Sequence, residues 1–208
     1  MSGPAADVGE ALRRAVRQYA SGVAVLTVAH DGTLHGATVS AVTAVSRDPL
    51  LIAACLRTSS VNTELARAAG RFAVNVLSSR QAVVAGWFAD PDRPLGPAQF
   101  ACVRWAPDAA SGAPVLAGSL ARLSCRLSDC VPAGDHHILV AEVADGAVVA
   151  GGTPLLSYAG RLHDADLLTL PRRQPHPAVA AARRAAPVAA AVPAPRAAPA
   201  TAGTPTGR

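Results

Sequence analysis

The feature that most constrains the fold is a series of short β-rich runs bounded by turns. Residues 23–29 form one such run, Asp31 and Gly32 give a hairpin signal, and a second run covers residues 34–42. Residues 50–56 and 71–77 continue the series. Because strands outnumber helices and no regular helical crossovers separate them, the pattern favours a closed or half-closed, Greek-key-like antiparallel barrel over a doubly wound sheet.

Helices are predicted at the edges of this mainly β structure. The first has its apolar residues at helical spacing: Val8, Leu12, Ala15, Val16 and Tyr19. This spacing predicts an amphipathic helix packed on something larger. Ser59 and Ser60 open a second helix that Gly70 ends, and a third covers about residues 79–88. Later strands are predicted at about 116–129, 138–149 and 155–158.

The basic charge is concentrated at the end of the chain. The formal net charge is +5, yet residues 171–208 hold six arginines and no acid. The body is therefore near neutral, which argues against nucleic-acid binding. Proline and alanine dominate the end of the chain, as is typical of disorder. We expect a flexible N-terminus over residues 1–9, a folded domain over 10–168 and a disordered tail over 169–208.

Cysteine usage and hydropathy indicate the compartment. The four cysteines show no C-x-x-C spacing, so no metal site is expected. No signal peptide is recognised, and no uninterrupted apolar run approaches about 18 residues. These observations predict a reduced, cytoplasmic protein that does not enter a membrane.

Three short segments carry candidate chemistry. Small and hydroxyl residues alternate over residues 36–46, so a planar heterocycle could lie against this strand, although a strand with a Ser/Thr solvent face is the simpler interpretation. Arg57 and its following hydroxyl residues at a helix start form a phosphate seat or an ordinary N-cap. Gly134 precedes Asp135 and two histidines, which can orient a ligand or exchange a proton, but adjacent histidines on a strand ligate one metal poorly.

The sequence contains no pattern for covalent catalysis. It has no G-x-S-x-G and no H-E-x-x-H, and no G-x-G-x-x-G follows a strand. A phosphate seat and a flat-ligand strand without a nucleophile suggest that a cofactor performs the chemistry.

Taken in order, the motifs resemble the flavin reductase family. The matching segments are residues 21–27 (SGVAVLT), 36–41 (GATVSA), 45–49 (VSRDP), 70–77 (GRFAVNVL), 112–116 (GAPVL), 134–136 (GDH) and 154–158 (PLLSY). The resemblance covers about residues 10–165 and implies an FMN-binding split barrel that forms a homodimer. It implies transfer of a hydride from NADH or NADPH to FMN or FAD, and delivery of reduced flavin to a separate monooxygenase.

The resemblance also implies a set of site residues. Flavin contacts are expected from Gly36, Ala37, Thr38, Val39, Ser40, Ala41, Ser46, Leu56, Arg57, Ser59, Ser60, Asn62 and Phe88. The nucleotide side is expected to include Asp135, His136 and Tyr158, with His136 as the catalytic position.

The chain departs from the family pattern at two places. Trp87 stands where the family commonly has an arginine, and Leu162 stands where a late aromatic residue is common. Two alternatives therefore stay open: a non-catalytic flavin- or heme-binding split barrel, and a flavin oxidase of the pyridoxamine type.

Overall fold

The computed structural model describes residues 4–164 and 167–169, with side chains from Val8 onward. The compact unit that contains the sheets ends at Leu167, close to the predicted domain end. Apart from Thr169, the predicted tail lies outside the described residues. The first helix begins at Pro4, inside the segment that was expected to be flexible.

The chain forms three α-helices and twelve strands in the described part. The helices are α1 (Pro4–Val16), α2 (Val61–Ala69) and α3 (Ala82–Ala89). The strands are β1 (Ser21–Gly22), β2 (Ala24–His30), β3 (Thr33–Val39), β4 (Val42–Arg47), β5 (Leu50–Arg57), β6 (Arg71–Val76), β7 (Trp105–Pro107), β8 (Pro114–Leu116), β9 (Ala121–Ala133), β10 (His136–Val148), β11 (Leu155–Tyr158) and β12 (Arg161–Asp164).

Seven strands form one antiparallel sheet that curls on itself. Their order is β3-β2-β6-β9-β10-β5-β4, so β3 and β4 lie at opposite edges. Only Ser40 and Ala41 separate these strands in the chain, a link that spans at most about 11 Å. The two edges must therefore approach each other, and the backbone N–H of Cys55 in β5 donates to the Ala41 carbonyl at 2.9 Å. This curled sheet confirms the predicted split barrel.

Two hydrophobic clusters lie on the two faces of the curled sheet. The inner cluster includes Leu26, Phe72 and Leu139, which are fully buried. The outer cluster lies between the sheet and α3 and includes Leu77 and Phe88. Successive side chains of a strand point to opposite faces of the sheet, so the strands contribute residues to both clusters. Aliphatic side chains make up most of both clusters, so few aromatic residues are needed.

The helix boundaries follow the predicted punctuation. Ser60 is the N-cap of α2, and Gly70 ends that helix in the left-handed conformation at φ 65°. The third helix begins with a 3₁₀ turn over Ser79–Gln81, where Ser78 and Gln81 form a capping box. The first helix differs from the prediction: its apolar residues Val8 and Leu12 are exposed in the protomer rather than packed.

A buried carboxylate fixes the loop between β7 and β8. Asp108 accepts hydrogen bonds from the Ser124 hydroxyl at 2.7 Å and from the backbone N–H and hydroxyl of Ser111, each at 2.8 Å. Burial raises the pKa of Asp108, but these hydrogen bonds and the nearby Arg122 outweigh burial and hold that pKa below its ordinary value.

Candidate flavin site

The loop after β5 and the turn before β10 meet at one end of the barrel. Arg57 and His136 are direct partners on neighbouring antiparallel strands, so their side chains leave the sheet on the same face. The backbone N–H of Thr58 donates to the Asp135 carbonyl at 2.9 Å. The structure thus brings together two motifs that lie almost 80 residues apart in the sequence.

The first turn of α2 offers hydrogen-bond donors at this end of the barrel. Arg57 and Ser59 are exposed, and Ser60 is half-buried at the N-cap. The Ser60 side chain makes no capping hydrogen bond, so its hydroxyl is available to a ligand. A guanidinium, two hydroxyls and the positive end of a helix dipole form a seat for a phosphate group.

Asp135 and His136 form a pair beside Arg57 at the same end of the barrel. Nδ1 of His136 lies 2.6 Å from a carboxylate oxygen of Asp135, and this hydrogen bond lowers the pKa of Asp135. Because Nδ1 is engaged, the ring presents Nε2 to a ligand. Asp135 is largely exposed and His136 is partly exposed, so both are accessible.

The junction between β3 and β4 completes the site. Ser40 and Ala41 are exposed, and the carbonyl of Ala41 is tied to Cys55, two residues before Arg57. We name as the rim site the following residues: Ser40, Ala41, Arg57, Thr58, Ser59, Ser60, Asp135 and His136.

Packing and hydrogen bonds partly cover the preceding part of β3, and the flat ligand expected along residues 36–39 stays a prediction. The hydroxyl of Thr38 donates to the Ala85 carbonyl of α3 at 2.7 Å. The inward side chains of Ala37 and Val39 pack in the inner cluster. Gly36 and Val39 are therefore buried in the protomer, Ala37 and Thr38 are half-buried, and Ser40 and Ala41 are exposed.

The backbone of Gly36 is occupied in the same way. Its N–H donates to the side-chain oxygen of Gln99 at 2.9 Å, and its carbonyl accepts from Arg93 at 2.6 Å. Gln99 also donates to the Leu34 carbonyl at 3.2 Å. Two long side chains thus satisfy the free edge of β3, where a neighbouring strand would otherwise pair.

Three further predicted contacts have side chains that are buried in the protomer, and their contact with a flavin stays a prediction. Phe88 is 1% exposed and packs against Gly36, and Leu56 belongs to the inner cluster. Asn62 is fully buried: its amide donates to the Leu26 carbonyl at 2.8 Å and its oxygen hydrogen-bonds to His35 at 2.9 Å. None of the three presents a side-chain atom to the rim site.

Two predicted residues form no hydrogen bond or strand pairing with the rim site in the described protomer. Ser46 pairs with Leu51, six residues along β5 from Arg57, which corresponds to about 20 Å of strand. Tyr158 lies in β11, whose first residue bonds to Leu77, and its hydroxyl donates to Gln18 at 2.8 Å. The protomer alone does not join either residue to His136.

Residues that sequence reasoning missed support the site from behind. Trp87 donates its ring N–H to the Gln99 carbonyl at 2.8 Å, so at this position the chain has a structural hydrogen bond in place of a cation. Burial lowers the pKa of His35, whose ring faces Asn62 below β3. No local sequence signal marks these contacts, because their partners lie 12 to 36 residues apart.

Three cavities on the described surface are lined by residues outside the rim site. Cavities of about 430, 410 and 250 Å³ lie beside Gly118, beside Gly32 and beside Gly70. Among residues 4–164 and 167–169, no three His, Cys, Asp or Glu side chains are grouped so that they could hold a metal. The helices within these ranges are too short or too polar to span a bilayer.

Comparison with known proteins identifies the family. The sequence matches the flavin reductase like domain over residues 16–166. It is 49% identical over 156 residues to an NADPH-flavin oxidoreductase of Streptomyces viridifaciens, an alignment that covers 74% of this chain and 80% of that protein. It is 40% identical over 149 residues to the reductase component of the 4-nitrophenol 4-monooxygenase/4-nitrocatechol 2-monooxygenase of Rhodococcus opacus, which covers 72% and 77% of the two chains.

A solved structure agrees with this match. The fold superposes with a TM-score of 0.71 on the Streptomyces globisporus C-1027 NADH:FAD oxidoreductase SgcE6 in complex with NAD and FAD fragments, at 32% identity over 79% of this chain and 96% of that one. The chain therefore belongs to the flavin reductase family.

Proposed function

We propose that this chain is an NAD(P)H:flavin oxidoreductase whose rim site binds FMN or FAD together with NADH or NADPH. The observation that carries the proposal is the meeting of a phosphate seat and an exposed His–Asp pair at one open end of the barrel. The fit to a flavin is supported by the Ser60 hydroxyl, which caps no helix N–H and can donate a hydrogen bond to a phosphate oxygen.

The rim-site residues have distinct tasks in this proposal. Arg57, Ser59 and Ser60 bind the flavin phosphate, and the backbone at Ser40 and Ala41 meets the polar edge of the ring. Bound flavin supplies the hydride acceptor, and the nicotinamide supplies the hydride. The protein holds the two rings in contact and excludes water from between them.

His136 is proposed to position the nicotinamide nucleotide rather than to transfer a proton. Its exposed Nε2 can bind the carboxamide or the ribose, while Asp135 fixes the ring orientation through Nδ1. We expect His136→Ala to raise the KM for the nucleotide and to leave flavin binding unchanged. An equal loss of flavin affinity would contradict this role.

The chain contains a matched control for this experiment. His30 and Asp31 form a second adjacent His–Asp pair at 3.4 Å, and the His30 side chain is about as exposed as that of His136. Because His30 lies in the hairpin between β2 and β3, away from the rim site, His30→Ala is expected to leave both constants unchanged.

The activity is tested by NADH and NADPH consumption with FMN, FAD, riboflavin or no added flavin. Consumption that requires a flavin supports the reductase. Flavin binding without consumption would favour a storage or sensing protein, and tightly held flavin that NAD(P)H does not reduce would favour an oxidase.

We further propose that reduced flavin leaves for a separate oxygenase in the cytoplasm. An open rim site with one exposed arginine gives modest affinity, which suits a product that must diffuse away. The four cysteines are free thiols, in keeping with a reducing compartment.

A homodimer is also part of the proposal. On the face of the sheet that carries Arg57, the cross-strand pairs are Cys55 with Ile138 and Ala53 with Val140. We call these four residues the outer sheet face. A solvated antiparallel sheet normally places polar side chains at such positions, so an apolar face that is only half-buried in the protomer indicates a protein partner.

A further inference from the structure

The N-terminal helix α1 exposes its apolar side. Val8, Leu12 and Val16 follow one another at four-residue spacing, so they form one stripe along the helix. They are 61%, 64% and 74% exposed, and Tyr19 just beyond the helix is 82% exposed. An amphipathic helix that gains nothing from its apolar side is marginal in water, because tertiary packing supplies most helical stability in proteins.

In the described residues, the hydrogen bonds that join α1 to the rest of the protomer lie just beyond the C-terminal end of the helix. The Ala159 N–H donates to the Arg17 carbonyl at 2.8 Å, and Tyr158 donates to Gln18 at 2.8 Å. The polar side of the helix is paired within itself, with Arg13 and Arg17 lying 3.0 and 3.7 Å from Glu10. The protomer therefore binds the chain just after α1, while the stripe along the helix is accessible to a partner.

We propose that α1 is an exchanged arm whose stripe packs on the outer sheet face of a second copy of this chain, while the second copy's arm packs on the first. This inference rests on the homodimer proposed above. The apolar side of α1 is exposed, and the apolar outer sheet face is only half-buried. A helix packs on a sheet through two surfaces of these kinds. A two-fold axis lets one contact serve both copies.

The area of the stripe fits this arrangement. Three aliphatic residues and one tyrosine offer roughly 300–400 Å² of apolar surface, taking the areas that their burial energies imply. Two arms and two receiving faces then bury roughly 1,200–1,600 Å² in total, which is the range of a stable, specific interface. A single arm on an unrelated partner would bury half of that.

The test measures dimer dissociation by sedimentation velocity over a concentration series of the full chain. The arm variant is Leu12→Gln with Val16→Gln, because glutamine keeps the helix propensity. The receiving-face variant is Val140→Asp. The control is Val83→Gln, which changes a valine that is 85% exposed on α3. We expect the arm and receiving-face variants each to raise the dissociation constant by roughly tenfold or more, and the control to leave it unchanged.

Each possible result decides the proposal. A dimer that the arm variant does not weaken overturns the arm and leaves the homodimer standing. A wild-type chain that is monomeric at every concentration overturns both. Circular dichroism and thermal unfolding of each variant show whether the barrel is folded. Flavin-dependent NADH oxidation in the same samples judges the reductase activity independently of the assembly.

Discussion

Gly36→Ala separates a packing role from a ligand-binding role at the residue that opens the flavin-facing segment of the sequence. An alanine Cβ at this position would lie 2.7 and 2.8 Å from two ring carbons of Phe88 and 3.4 Å from Phe100. The Phe88 ring has little room to move, because it is 1% exposed and packs at a tilt against the Phe100 ring, with the ring centroids 5.3 Å apart. Overpacking of this kind costs about 1–3 kcal/mol.

Urea unfolding followed by fluorescence measures the loss, and thermal unfolding checks it. A domain of this size loses roughly 2–4 °C of Tm per kcal/mol. Gly22→Ala is the matched control, since Gly22 lies in β1, an added Cβ there would meet nothing within 4 Å, and the change is expected to be neutral. Phe88→Leu should recover part of the loss in the double variant. Unchanged stability together with weakened flavin binding would refute the packing role and restore Gly36 to the site.

Two further predictions concern the buried carboxylate of Asp108 and the buried thiol of Cys125. The folded-state pKa of Asp108 is lowered, so its stabilising contribution is present above the unfolded-state pKa and is lost as the pH falls through the folded value. The free energy of unfolding should therefore decline below about pH 4, and less steeply in Asp108→Asn; equal slopes would contradict the reasoning. Burial raises the pKa of the Cys125 thiol to about 12, whereas Cys102 is exposed. A thiol reagent should modify Cys102 in the native protein and reach Cys125 only on unfolding, as mass spectrometry of the labelled peptides would show.

Features that local chemistry determines could be predicted from the sequence. As predicted, Ser60 is the N-cap of α2 and Gly70 ends it, because N-caps and left-handed C-caps depend on the few residues around them. The alternation of apolar residues predicted the strands and the barrel class. The boundaries of the two longest strands shifted, because β9 and β10 extend to a tight turn at Gly134 that the pattern did not delimit.

Features that depend on distant segments could not be predicted. Small and hydroxyl residues in β3 look the same whether a strand faces water, a ligand or a helix. The covering groups, Ala85 of α3 and the side chain of Gln99, come from 47 and 63 residues further along the chain. Sequence reasoning therefore treated residues 36–41 as one ligand-facing segment, because neither the pattern nor the resemblance to a family distinguishes its buried residues from its exposed ones.

Tyr158 provides the last test, because its hydroxyl is bonded to Gln18 at the base of the arm that we propose to reach the second copy. If Tyr158 serves the nucleotide side, as the resemblance implies, and the arm carries it to the second copy, then each site is shared across the dimer. His136→Ala and Tyr158→Ala chains, each impaired alone, should then complement each other when mixed and re-equilibrated. A heterodimer has one intact site, so statistical mixing should restore about a quarter of the wild-type activity. Mixtures that show only the average of the two impaired activities would rule out a site that is shared across the dimer.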